Sequence, residues 1–392
     1  MTETQMMALL PTGLADVLPP DATFEAATLA QLMAAFAGYG YERIKPPLIE
    51  FEDGLLAGLG TAMASQTFRL MDPVSQRMMG VRADMTPQVA RIASTRLKNV
   101  ARPLRLSYSG DVLRVKGTQL RPERQFTQVG VEIIGTDRAQ ADAEVILMAI
   151  QSLRDLGVDG LSVDLAIPTL VPALCKEFKI TGDAEIKMRL ALDRKDAASI
   201  TELAKNIGTN NAAMLSALLN AAGPAERTLT ALHKMTFGPD AARERAILTD
   251  VANRVRAAAP DIQLTIDPVE NRGFEYHSGV TFTFFARGVR GELGNGGRYL
   301  AENGTEHGEP ATGLTLFMDT ILRALPRPQA QERIYLCFGI SESAADTLRG
   351  DGWITISGLE QSEDPEAEAQ RLRCTHIFID DKIKKLKREL EG

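Results

Sequence analysis

The stretch VLRVKGTQLRPERQFTQVGVEIIG, residues 112–135, carries two β patterns joined by a polar loop. Leu104 to Val115 and Phe126 to Ile134 are rich in β-formers, and KGTQLRPER (116–124) between them is mostly charged or polar. Along the second stretch Phe126, Gln128, Gly130 and Glu132 share one face, and Thr127, Val129, Val131 and Ile133 share the other. The apolar face suits a core. The polar row fits a floor for a polar ligand, and it also fits the solvent-facing side of an antiparallel sheet.

Toward the N-terminus, Thr86 is placed to cap a helix over 86–97, with Pro87 in its first turn, where a missing N–H costs nothing. Short strands are predicted at 67–71 and 76–81, joined by a turn at Asp72-Pro73. Pro46-Pro47 forces an extended path, and a helix runs from Asp21 to about Ala37. Toward the C-terminus a helix spans Ala139 to Leu156 and a strand spans 161–167. Residues from about 178 to 258 read as almost wholly helical, broken at Gly182, Gly208, Gly223-Pro224 and Gly238-Pro239. This run parts two β-rich halves and has the look of an insertion. β pattern returns at 262–266 and 280–286, GELGNGGRY follows at 291–299, and a helix is predicted over about 314–324. The organisation expected is a core over 1–325, a linker at 326–331 and a small α/β domain with a parallel sheet over 332–392.

The chain has 392 residues, 44% hydrophobic and 24% charged, which is globular composition with ample apolar material for two or three domains. No apolar run approaches the ~18 residues of a membrane span, and the start lacks a basic n-region, so a cytoplasmic protein is expected. Cys175, Cys337 and Cys374 form no C-x-x-C pair, and His233, His277, His307 and His376 lack metal spacing, so neither a disulfide framework, a metal site nor a cofactor is expected. A formal net charge of −7 argues against a broad phosphate-binding face. The single basic run, Lys382 to Arg388, fits a solvated helix end.

Segments in order along residues ~10–325 resemble histidyl-tRNA synthetases of class II. GYGYERIKPPLIE (38–50) resembles motif 1, the dimer-forming element, and VRADMTPQVAR (81–91) resembles the segment usually reading R-P-E-G-T. Residues 112–135 resemble motif 2, ENRGFEYHSGVTF (270–282) resembles the R-G-L-D-Y-Y signature, and GNGGRY (294–299) resembles the start of motif 3. The resemblance implies an α+β fold, an antiparallel sheet flanked by helices with a helical insertion. It also implies a histidine-like pocket at Arg82, Asp84, Thr86, Arg114, Gln128, Glu132, Arg272 and Tyr276, with His277 standing where a tyrosine is usual. The chemistry suits an amino acid: carboxylates for ammonium and imidazole N–H groups, an arginine fork for a carboxylate, an amide that both donates and accepts. Structural ion pairs use the same residue types, and Arg82 with Asp84 is the readiest such pair.

Departures from the motifs bear on catalysis. Lys116 and Gly117 stand where motif 2 has Glu and Arg, and Thr320 stands where motif 3 has the arginine that meets the ATP γ-phosphate. Losing that cation removes charge-assisted bonding to the phosphate. Arg323 lies one helical turn later. The 61 residues from 332 to 392 are fewer than a full anticodon-binding domain. A synthetase-like core of this kind is similar to the regulatory subunits of short-form ATP phosphoribosyltransferase. That similarity implies a non-catalytic subunit, itself dimeric, that assembles with the short catalytic subunit in the first step of histidine biosynthesis. It further implies L-histidine as effector, no tRNA partner and no catalytic residue. A divergent amino-acid-adenylating enzyme and a free-standing amino-acid sensor are the competing readings.

Overall fold

The structure, a computed structural model, describes residues 9–119, 121–270, 276–302, 308–327 and 331–386. Two compact units divide between Pro326 and Arg327.

In the first unit, α1 (Asp21–Gly38) opens with Asp21 in its first turn, where a carboxylate suits the helix dipole. Gly40, at φ +82°, turns the chain away after it. β1 (Glu42–Arg43) follows, and a small three-stranded sheet then holds β2 (Ile49–Phe51), β3 (Phe68–Met71) and β4 (Met78–Val81), with the one-turn helix α2 (Glu52–Leu55) beside it. α3 (Thr86–Thr95) has Pro87 in its first turn, as expected. Its cap differs from the expectation. Asp84 Oδ1, and not Thr86, accepts the first helical N–H, at 2.9 Å. The Thr86 hydroxyl is thereby left to turn inward.

The main sheet is built on β5 (Leu104–Leu113), β6 (Gln125–Ile134), β7 (Leu161–Ala166), β9 (Gln263–Asp267), β10 (His277–Ala286), β11 (Gly294–Ala301) and β12 (Glu309–Phe317), edged by β1 and the two-residue β8 (Gly223–Pro224). Its order is β1-β5-β6-β12-β11-β10-β7-β9-β8. The six strands from β5 to β7 pair antiparallel, and the β1–β5 and β7–β9 pairs are parallel, so the sheet is mixed at its margins. The helix expected from 314 begins later. Glu309–Phe317 is a nine-residue strand, because its β-branched and apolar residues complete the sheet, and only Met318–Ala324 is helical.

Cross-strand register decides what each face carries. Val129, Val131, Ile133, Leu314, Leu316, Phe282, Phe284, Val163 and Leu165 share a back face and pack under α1 and α4 (Ala139–Asp155). The insertion contributes to the same core through α5 (Leu170–Glu177), α6 (Asp183–Asp193), α7 (Ala197–Ile207), α8 (Thr209–Ala221), α9 (Ala225–His233) and α10 (Pro239–Ala258). Its breaks fall at Gly182, Gly208, Gly223-Pro224 and Gly238, as the glycines foretold. The front face packs a second core against α3, including Met85, Val89, Leu106, Tyr108 and Tyr299, and it holds the site. α11 (Met318–Ala324) closes the unit.

In the second unit β13 (Arg333–Leu336), α12 (Glu342–Gly350), β14 (Ile354–Ser357), α13 (Pro365–Arg371), β15 (His376–Ile379) and β16 (Lys382–Lys385) alternate as β-α-β-α-β-β. The order is β14-β13-β15-β16, with three parallel strands and an antiparallel edge. The basic run therefore starts as an edge strand and not as a helix end. Asp380 and Asp381, both at positive φ, make the tight reversal that lays Lys382–Lys385 back on β15. Charged side chains on an edge strand oppose further pairing.

Candidate functional site

The polar row of β6 does not face solvent. Gln128 and Glu132 are 0% and 1% exposed, buried beneath the start of α3. Register explains how room is made beside them. Glu132 pairs with Gly313, Gly313 with Gly297, and Gly297 with Thr281, so two successive cross-strand neighbours of Glu132 have no side chain. A Cβ built on Gly313 would lie 1.7 Å from Glu132 Oε2. One on Gly130 would lie 2.3 Å from the Tyr108 hydroxyl, and one on Gly297 would meet the His277 ring at 2.8 Å. The trough so formed is a cavity of about 220 Å³ lined by Asp84, Thr86, Arg114, Glu132, Tyr276, His277, Glu292, Tyr299 and Phe317, among others. A larger, shallow depression of about 550 Å³ lies on α9, around Arg227 and Lys234, on the surface of the insertion and far from these groups in the fold.

Glu132 is the centre of the deep end. Tyr299 donates to its Oε2 at 2.8 Å, and Thr86 and Tyr108 donate to its Oε1 at 3.2 and 3.3 Å. Burial, with a smaller contribution from the nearby Asp84 charge, raises its pKa from 4.5 to about 8 against the pull of those three hydroxyls. Tyr108 and Tyr299 are also pushed well above the ordinary tyrosine range, first by burial and then by the Glu132 charge. Gln128 bridges the site to α3, donating to Asp84 Oδ2 at 2.8 Å and accepting the Met85 N–H at 3.1 Å. Asp84 thus serves the helix and the cavity at once. Arg114 donates to the Ala83 carbonyl at 3.3 Å, and burial lowers its pKa. Tyr276 lies with its ring centroid 4.0 Å from that of His277.

Of the residues expected in a pocket, Asp84, Thr86, Arg114, Glu132, Tyr276 and His277 line this cavity, and Gln128 lies directly behind Asp84. Arg82 does not line it. Its guanidinium donates to the carbonyls of Asp111, at 2.7 Å, and Pro46, at 3.1 Å, so it braces β5 and the Pro46-Pro47 segment. It makes no pair with Asp84. Arg272 lies outside the described residues. Tyr108, Tyr299, Thr315 and the glycines Gly297 and Gly313 were not singled out from sequence. The strand register of GNGGRY against 311–317 is the signal that would have found all of these but Tyr108, which lies on β5 opposite Gly130.

The positions expected to have lost nucleotide contacts are visible too. Thr320 is 1% exposed at the start of α11. Arg323 donates to Thr320 Oγ1 at 3.2 Å and lies 3.4 Å from Asp319 and 3.8 Å from Glu123. Its charge is therefore answered within the protein.

Comparison with known proteins agrees with this architecture. The sequence model of the family described as Histidyl-tRNA synthetase matches residues 13–321. An ATP phosphoribosyltransferase regulatory subunit from Paramagnetospirillum magneticum is 54% identical over 98% of this chain and 99% of its own length. Another from Rhodospirillum centenum is 53% identical over 97% of each. Among solved structures, an ATP phosphoribosyltransferase regulatory subunit/histidyl-tRNA synthetase from Bacillus halodurans shares the fold at a TM-score of 0.80 and 24% identity, covering 93% of this chain and 96% of that one. A histidyl-tRNA synthetase from Nostoc reaches the same TM-score at 17% identity, covering 95% and 91%. With relatives this similar over almost the whole length, and a glycine-floored cavity on a synthetase-like sheet, the chain belongs to the family of ATP phosphoribosyltransferase regulatory subunits.

Proposed function

We propose that this chain is the non-catalytic subunit of a cytoplasmic short-form ATP phosphoribosyltransferase, and that free L-histidine binds in the cavity beneath α3 to carry feedback to the catalytic partner. The observation that carries the reading is an asymmetry. The groups suited to an amino acid are buried, convergent and hydrogen-bonded, while the motif 3 position holds a buried threonine flanked by internally paired arginines. In this reading Arg114 takes the ligand carboxylate, Asp84 takes the ammonium and Glu132 with its tyrosines meets the imidazole. Differential affinity for two states of the assembly is what shifts the partner's equilibrium, typically by ~1–3 kcal/mol. Unpaired cysteines among the described residues suit a reducing compartment. The exposed apolar side chains of Leu48, Ile49 and Phe51 support a homodimer through the 38–50 region.

The test is reconstitution. ATP phosphoribosyltransferase activity is assayed with the short catalytic subunit alone and with this chain added, while histidine is titrated in. Activation by the chain and loss of activity with histidine are expected. Histidine-dependent ATP–pyrophosphate exchange by the chain alone is expected to stay at background, and exchange above it refutes the non-catalytic reading.

A further inference from the structure

Arg114 and Phe317 line the cavity, and a side chain from a neighbouring loop is stacked on Phe317. Arg121, from the loop joining β5 and β6, lays its guanidinium 3.8 Å from the centroid of the Phe317 ring and 4.8 Å from that of Phe126. Its Nε donates to Asp319 Oδ2 at 3.2 Å, and its Nη2 lies 3.4 Å from Thr320 Oγ1. Both members of this pair are nearly buried, at 11% and 13% exposed. A planar cation between aromatic faces and a carboxylate is a well-matched occupant. Phe317 belongs to the cavity wall as well as to this slot, and Arg114 lies 5.1 Å from the same Phe126 ring. The slot and the cavity are neighbours that share the Phe317 side chain.

The loop is shaped to deliver Arg121 there. The Thr118 N–H donates to the Arg121 carbonyl at 2.7 Å, and the Arg121 N–H donates to Thr118 Oγ1 at 3.0 Å. A Cβ at Gly117 would lie 2.3 Å from the Pro122 carbonyl oxygen. Only a residue without a side chain permits that approach. Gly117, which departs from the motif 2 arginine, and Arg121 are therefore parts of one local arrangement.

We propose that Arg121 is a specificity-determining residue that limits the cavity to a free amino acid and excludes any amino acid bearing a large planar group on its carboxylate. The proposal rests on the reading of the cavity as an amino-acid site. Arg114 is the only arginine among the described lining residues, so the ligand carboxylate is directed toward it. Beyond Arg114 lies the Arg121 slot. A substituent on that carboxylate meets the guanidinium where it would need the aromatic faces of Phe126 and Phe317. The site distinguishes the free amino acid from its activated derivatives by occupancy, in addition to the loss of phosphate-binding groups.

The experiment uses the full chain as wild type, Arg121→Ala and Asp319→Asn, with calorimetry against L-histidine, histidyl-sulfamoyl-adenosine and adenosine. Wild type is expected to bind histidine and to bind the sulfamoyl compound and adenosine at least about tenfold more weakly than Arg121→Ala does. Histidine affinity is expected to change less than about threefold in that variant. Asp319→Asn, which loosens the guanidinium without removing it, is expected to gain in the same direction by less, and it decides the matter alone if Arg121→Ala does not fold. A gain for either adenosine-bearing probe in a variant with the wild-type circular dichroism supports the proposal, and no gain for either overturns it. Absence of histidine binding in all three proteins refutes only the amino-acid reading, because adenosine by itself reports whether the slot has opened.

Discussion

The two ends of the cavity are built by different means. At the deep end every polar group stands on a strand or on the first turn of α3. Glu132 on β6, Tyr108 on β5, Tyr299 on β11 and Thr86 on α3 converge within 3.3 Å of one carboxyl group. Ladder register and glycine cross-strand neighbours fix that geometry, and no loop is involved. At the outer end the deciding group comes from the loop joining β5 and β6 and from the head of α11, and it is filled by the chain's own Arg121. Rigid elements hold the polar groups of the deep end together. The loop, free to change length and turn chemistry without disturbing the core, carries the Lys116 and Gly117 departures, while Thr320 stands at the head of α11.

The sharpest way to break the comparison is at the glycine floor. Gly313→Ala places a Cβ 1.7 Å from Glu132 Oε2, and the neighbour it meets is a buried carboxyl group with no free direction. Histidine binding is expected to fall by about a hundredfold or more, with about 1–3 kcal/mol lost from stability, read by calorimetry and urea denaturation. Wild-type affinity in this variant would show that the ligand lies elsewhere. Glu132→Gln is expected to act more narrowly, weakening histidine by about tenfold to a hundredfold through loss of a charge-assisted bond, with assembly and activation retained. Unchanged affinity and unchanged inhibition in that variant would make the deep end a structural relic. Restoring the motif 3 cation with Thr320→Arg is expected to produce no pyrophosphate exchange. The site is 1% exposed and already bordered by Arg121 and Arg323, so a third arginine meets like charge and crowding.

Much of the fold was legible because the sequence alternates cleanly where one sheet face is a core. Phe126 to Ile134 shows it, and so do the insertion helices with their glycine breaks. Propensity misled at 314–317, where a leucine-rich stretch suits either a helix or a buried strand and the neighbouring strands decide. At 382–385 the lysines suit a helix end until Asp380-Asp381 turns them onto β15. In the site, residues carried by motif resemblance fell largely into one cavity. Arg82 did not, because a short-range pattern cannot tell a guanidinium bracing carbonyls from one awaiting a ligand. Tyr108, Tyr299 and Arg121 escaped notice for a shared reason. Each acts through a partner between 24 and 198 residues away, and those distances close only in the assembled fold, by strand register for the tyrosines and by the β5–β6 loop for Arg121.

The last effect concerns protons, and it belongs to the deep end alone. Burial holds the Glu132 pKa near 8 against an ordinary 4.5, while the hydroxyls of Tyr299, Thr86 and Tyr108 oppose the rise. A raised pKa means that the native protein keeps a proton which the unfolded chain has released. The stabilisation is therefore fully present below about 4.5 and is lost as pH climbs through about 8. Within that window wild-type stability is expected to fall by a component approaching about 1.4 kcal/mol per pH unit. Gln at this position resembles the protonated acid in shape and charge and cannot lose the proton. Urea denaturation should place Glu132→Gln within about 1 kcal/mol of wild type near the acid end of the window, with the variant gaining relative to wild type toward the alkaline end. Asp319→Asn, which leaves Glu132 and its three hydroxyl donors in place, is expected to leave the slope as it is. Identical slopes in wild type and Glu132→Gln would mean that the empty cavity already holds a carboxylate at neutral pH. The three hydroxyls would then be stabilising a charge in advance of any ligand, and histidine binding would release no proton from this site.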